Sequence, residues 1–120
     1  MAEARRPGPG AFEALYRQFA EGLPARVAVM REALDALSVA ASVEAATRLY
    51  MAAHALRGTA EVYGALALVP HAALLETWSE ARRGDGRADP AAVAEARREL
   101  DLLAAAVAAT RGHLQRAKPR

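Results

Sequence analysis

The sequence predicts an all-α protein: an up-down four-helix bundle with an additional short N-terminal helix. Three observations predict it. Alanine and leucine dominate a chain with few β-branched residues. Apolar residues recur at i, i+3, i+4 and i+7, and no strand-like alternation persists. Clusters of helix breakers divide the chain into long segments joined by short connections, the pattern of antiparallel neighbours in a bundle.

The elements follow in chain order. "RRPGPG" is a cluster of breakers, and residues 1–10 are expected to form a disordered leader. A first helix covers Ala11 to Glu21, with Phe12, Leu15, Tyr16 and Phe19 along one face. "EGLP" breaks it. Pro24 suits the first turn of a second helix, where a missing N–H sacrifices no intrahelical bond. That helix runs to about Leu37, with Val27, Met30, Leu34 and Leu37 as its apolar stripe. "SVAASVEAA" is the next connection, and Ser42, followed by Glu44 and Ala45, is a fitting N-cap. The third helix then extends to about Tyr63. Gly64 to Val69 form a bend, and Pro70 opens a fourth helix reaching about Arg83. "RGDGRADP" is the clearest loop in the chain. Asp89 caps and Pro90 starts the last helix, which ends near Gln115. The folded unit is expected to span residues 11–116, leaving 117–120 as a tail.

A chain of 120 residues fits one domain. It contains no cysteine, so a disulfide framework and a thiolate metal site are excluded; that composition fits a cytoplasmic protein. No apolar run reaches the length of about 18 residues that spans a bilayer, and "MAEARRPGPG" lacks the apolar stretch of a secretory signal. No membrane partner is expected. The formal charge of +2 and a pI near 9.5 suggest nucleic acid at first. Yet Arg5, Arg6, Arg116, Lys118 and Arg120 lie in the tails, opposed only by Glu3. Without these six the body holds 11 basic and 13 acidic residues. A footprint for a phosphate backbone belongs on the folded face, so no nucleic acid partner is expected either.

The stretch "HALRGTAEVYG", His54 to Gly64, carries the chemistry. Glycine costs a helix interior about 1 kcal/mol relative to alanine, so a chain rich in alanine needs a reason to place Gly58 there. With His54 at zero and a step of about 100° per residue, Arg57 falls near about −60°, Tyr50 about −40°, Glu61 about −20° and Gly58 about +40°. All four share the histidine's face. Leu49, Leu56 and Tyr63, flanked by Ala52 and Ala60, lie almost opposite. If that stripe faces the core, His54 points outward. Histidine can act as a covalent nucleophile and carry a phosphoryl group on a ring nitrogen. Arg57 offers a cation for a phosphoryl oxygen or a partner carboxylate. Gly58 removes side-chain bulk beside the imidazole and admits another protein's surface. A nucleophile, a cation and a gap form a set for receiving phosphate from a bulky donor.

At these residues the chain resembles the histidine phosphotransfer (HPt) domains of bacterial two-component phosphorelays. Their signature stands here as "HALRGTAEVYGALALVPHAALLE", with His54, Leu56, Gly58, Ala60, Gly64, Leu66, Leu75 and Glu76 in matching positions. The likeness covers roughly residues 12 to 115. It departs where the family usually has lysine and this chain has Arg57, at Thr59, which replaces a smaller residue, and at Pro70, which is expected to delay the fourth helix.

The resemblance implies a four-helix bundle that carries phosphate on His54 and exchanges it with the aspartate of a response-regulator receiver domain. A sensor histidine kinase is a further partner, and the fold requires no second subunit, so a monomer is expected. Arg57 is then the orienting cation, and Gly58, Glu61 and Tyr50 form the face that a partner approaches. No glycine-rich phosphate cradle such as G-x-x-x-x-G-K-[ST] occurs, so the chain is expected to be a phosphohistidine carrier without its own ATP-dependent kinase activity. It needs no cofactor of its own; the Mg²⁺ for in-line transfer comes from the receiver.

Other readings compete with this one. "TAEVYGALALVPHAALLETW" has the Ala60 to Gly64 spacing of a helix-turn-helix, but the following helix offers almost no side chains that read base edges. A di-iron bundle needs inward glutamate-x-x-histidine pairs, and none occurs. The functional alternative is a non-catalytic helical adaptor that binds a receiver or kinase without phosphotransfer. His71 reads as a helix-end residue and His113 as a solvated one. Tyr16, Tyr50 and Trp78 read as packing residues, and "EARREL" as a solvated helix face.

Overall fold

The computed structural model describes residues 10–116. The expected leader, apart from Gly10, and the tail at 117–120 lie outside the described residues. Five helices make up the fold: α1 (Ala11–Glu21), α2 (Leu23–Val39), α3 (Val43–Tyr63), α4 (Val69–Glu80) and α5 (Pro90–Arg116). No strand occurs among the described residues. Helix α2 packs on α3, α3 on α4, α4 on α5 and α5 back on α2, closing a four-membered ring of antiparallel neighbours. Helix α1 lies outside this ring against α5 and α2.

Each ring helix contributes a narrow stripe with three- and four-residue spacing, the period of a coiled-coil seam. On α2 it is Leu23, Val27, Met30, Leu34 and Leu37; on α3, Leu49, Ala53, Leu56 and Ala60. Helix α4 adds Ala72, Leu75 and Ser79, and α5 adds Val93, Ala96, Leu100, Leu103 and Val107. Burying one such leucine contributes about 1.5–3 kcal/mol, far more than the exposed pairs Arg31–Asp101 and Arg97–Asp35 that cross from α2 to α5, since surface pairs contribute roughly 0–1 kcal/mol. On α3, leucine alternates with alanine, so neighbouring helices approach closely. The opposite face is left free of packing duty.

The capping expectations hold. The Ser42 hydroxyl accepts the Ala45 N–H at 3.0 Å, and Asp89 Oδ1 accepts the Ala92 N–H at 2.8 Å. Gly64 ends α3 in the left-handed conformation, φ 72°, which only glycine adopts at low strain. Four details differ from expectation. "EGLP" bends the chain more than it breaks it: Gly22 alone leaves the helix, and α2 begins at Leu23, anchored by complete burial of that side chain. Pro70 does not delay α4, which starts one residue earlier at Val69. Helix α4 ends at Glu80 and not at Arg83. The Ser79 hydroxyl bonds back to the Leu75 and Glu76 carbonyls, and Arg82 and Arg83 make only i→i−3 turns. The loop then seats Gly86, φ 68°, against the start of α3, where its carbonyl accepts the Ser42 N–H at 3.0 Å and a Cβ would collide with the Ser42 backbone.

The fourth difference is "EARREL", which is only partly solvated. Ala96 and Leu100 are core residues, Arg97 pairs with Asp35, and Glu99 meets His71 Nδ1 at 2.5 Å. His71 therefore lies at a helix end, as expected, but also ties α4 to α5. His113 is exposed beside Arg116. Tyr16 packs with Phe12, Phe19 and Tyr63 in an aromatic cluster that fastens α1 to the end of α3. Trp78 is buried under the Arg82 guanidinium, 4.1 Å from its ring centroid.

Candidate functional site

His54 lies near the middle of α3, and its side chain is 57% exposed. Leu49, Ala53, Leu56 and Ala60 are fully buried on the other side of the helix, so the core stripe forces the imidazole outward as the periodicity predicts. Tyr50, Arg57, Gly58 and Glu61 share its side of the helix.

The arrangement around the ring is asymmetric. On one flank stands α4, which supplies Glu76. Oε2 of Glu76 lies 2.8 Å from His54 Nδ1, and Oε1 accepts from Arg57 Nε at 2.5 Å. The Arg57 guanidinium makes a second, longer approach to Oε2 at 3.4 Å and reaches Glu61 at 3.7 Å, an i,i+4 pair on α3. The Tyr50 ring stacks on the imidazole on the same flank, 5.8 Å between centroids and 14° between planes. The other flank is bordered by Gly58. Gly58 leaves open space, and a Cβ built there meets no atom within 4 Å. Met51 and Val62, a turn or two to either side, are 62% and 76% exposed. The open flank is therefore apolar, and the fenced flank is charged.

A carboxylate only accepts, so the Nδ1 facing Glu76 carries the proton. In a neutral imidazole Nε2 is then the nitrogen with a free lone pair. No described residue hydrogen-bonds Nε2. The ring is thus held in the tautomer that points a nucleophilic nitrogen away from the bundle.

Glu76 is the residue that sequence reasoning left without a role. It counted only as one matched position in the Leu75–Glu76 pair. Arg57 was expected to face a partner, and here it is engaged by Glu76 and Glu61. Among the described residues no three His, Cys, Asp or Glu side chains converge in a metal-binding group, and no helix is long and apolar enough to cross a membrane.

The Arg57 hydrogen bond is the main reason that the Glu76 carboxyl is held below its ordinary value; partial burial opposes this and the His54 contact adds to it. The same bond raises the Arg57 guanidinium. A carboxylate depressed in the folded state stabilises the fold fully above its unfolded value, and that contribution is lost as pH falls through the folded value. The melting temperature of the protein is therefore expected to fall more steeply than that of Glu76→Gln once pH drops below the ordinary glutamate value of about 4.3. Calorimetric scans between neutral and strongly acidic pH check this. Parallel curves for the two proteins would show that the pair does not stabilise the fold.

Residues 14–110, most of the chain, match a family model described as Hpt domain. No curated protein and no solved structure matches.

Proposed function

The chain belongs to the Hpt domain family, whose members carry phosphate in two-component signalling without kinase activity, and on that premise we propose that it is a phosphorelay intermediate whose phosphoryl acceptor is His54. The partner is a response-regulator receiver domain, with a sensor histidine kinase upstream, and the chain acts as a cytoplasmic monomer. One observation carries this reading: the Nδ1–H of an exposed histidine is held by Glu76 at 2.8 Å, leaving Nε2 outward beside an open flank.

The chemistry follows from that geometry. The Nε2 lone pair attacks the phosphorus of the receiver's aspartyl phosphate. The P–O bond to the aspartate breaks, and the aspartate leaves as a carboxylate. The imidazole ring acquires positive charge, which the Glu76 carboxylate stabilises through the Nδ1–H bond. The reverse step returns phosphate to a receiver. Alignment and electrostatic stabilisation dominate phosphoryl transfer, so the bundle's task is to present the ring. Arg57 fixes Glu76 and adds a cation near the transferred group. Gly58, Glu61 and Tyr50 border the face the receiver covers, and the Mg²⁺ of the reaction belongs to the receiver.

The test is to incubate the protein with a phosphorylated receiver and map the modified residue. Phosphate should appear on His54 as an acid-labile, base-stable phosphoramidate. Tight receiver binding with no transfer would favour the adaptor reading.

A further inference from the structure

Tyr50 does more than border the partner's face. Its ring lies nearly parallel to the imidazole, 14° between planes. Its other contact comes from a different part of the chain: the Arg83 guanidinium sits 4.4 Å from the Tyr50 ring centroid, a cation–π distance. Arg83 belongs to the turn that follows α4, the segment where the helix ends three residues sooner than the sequence suggests. Arg83 stands seven residues after Glu76, about two helical turns further along the chain, so the helix period leaves it on the same α3-facing flank. The turn keeps it against α3, where it meets Tyr50, one helical turn before His54.

We propose that Arg83 and Tyr50 are positioning residues for His54, a ladder that fixes the plane of the imidazole. This deepens the phosphotransfer reading and rests on it. The physical need is specific. A hydrogen bond from Nδ1 to Glu76 sets the tautomer, but the ring can still rock about that single bond. The Nε2 lone pair lies in the ring plane, so the plane sets the line along which phosphorus is attacked. Glu76 and Arg57 restrain one edge of the ring. Among the described residues Tyr50 is the aromatic side chain stacked on its face, and Arg83 in turn holds Tyr50 in the required rotamer. An exposed histidine without that support samples several rotamers and meets the phosphorus in line for a smaller fraction of encounters.

A residue that merely touches the receiver would alter its half-saturating concentration. A residue that holds the ring alters the transfer rate at saturation. Tyr50→Ala is therefore expected to lower the single-turnover rate at saturating phosphorylated receiver by about tenfold or more, beyond any change in half-saturation from its place at the border of the receiver's face. Tyr50→Phe keeps the stacking face and should restore most of the rate. Arg83→Gln keeps the Tyr50 ring but removes the cation that fixes its rotamer, and should fall between the two. Circular dichroism checks that each variant keeps its helices. A second measurement needs no phosphate: ¹³C relaxation of the His54 ring carbons in the unphosphorylated protein should show an ordered ring in the wild type and a more mobile one in Tyr50→Ala. Unchanged ring order, or a Tyr50→Ala variant that changes half-saturation and not rate, would overturn the proposal. Should the wild type accept no phosphate at all, the functional reading falls, and the ring-order comparison still decides whether the ladder holds the imidazole.

Discussion

Replacing His54 by glutamine is expected to reduce phosphate acceptance to background while leaving the bundle folded. The side chain is more than half exposed and lies on the face of α3 opposite Leu49 and Leu56, and surface substitutions of this kind usually change stability by no more than about 0.5 kcal/mol. Glutamine is polar, similar in size, and can still donate an amide N–H to Glu76. It has no ring nitrogen with a nucleophilic lone pair, so the loss is chemical and not structural. Arg57→Ala should have a milder effect, because it removes an orienting charge and releases Glu76 without touching the nucleophile. His71→Gln should leave transfer unchanged, since His71 is occupied with Glu99 between α4 and α5, and so should His113→Gln, whose neighbour is Arg116. The assay is labelled phosphate retained on purified, folded variants after incubation with phosphorylated receiver. Label that persists on folded His54→Gln would place the chemistry elsewhere.

What the sequence revealed of this site depended on which contacts are local. The outward direction of His54 follows from the α3 stripe alone, because Leu49 and Leu56 must face the core and the helix period does the rest. The bounds of α1 and the caps at Ser42 and Asp89 are local in the same sense. Glu76 is different. It stands 22 residues from His54, and no spacing rule joins them. Their meeting depends on how α4 is rotated about its axis, which is set by burial of Ala72, Leu75 and Ser79. That stripe leaves Glu76 one residue off the core line, on a flank of α4, and packing against α3 brings it to the imidazole. Arg83 follows Glu76 by about two helical turns on the same flank of α4, so its contact with Tyr50 depends on the same rotation of α4 against α3. The loop after α4 is also beyond local reading, because Gly86 seats against Ser42, a contact between segments more than forty residues apart. The His71–Glu99 pair was missed for the same reason, each residue being ordinary on its own helix and paired only through the bundle.

Gly58→Gln is expected to fold at least as stably as the wild type and to lose transfer from the receiver. The backbone does not require glycine here. The left-handed glycines among the described residues are Gly64 and Gly86, whereas Gly58 lies within α3. Packing does not require it either, since a Cβ at this position meets no atom within 4 Å. Alanine should accordingly stabilise the helix by about 1 kcal/mol, and glutamine by nearly as much. What the missing side chain provides is the open flank of the imidazole. Helical side chains lean toward the N-terminus, so one at position 58 grows back over the turn that carries His54. An alanine methyl adds little there, and Gly58→Ala should melt higher and retain most of its acceptance. A glutamine reaches into the space a receiver must enter, and transfer from that bulky donor should fall to near background. A small donor such as phosphoramidate needs no flat approach and should still label His54 in the same variant. That contrast separates a blocked surface from a damaged nucleophile. Full acceptance from the receiver by Gly58→Gln would remove the steric role of the glycine, and equal loss with both donors would assign the defect to the imidazole itself.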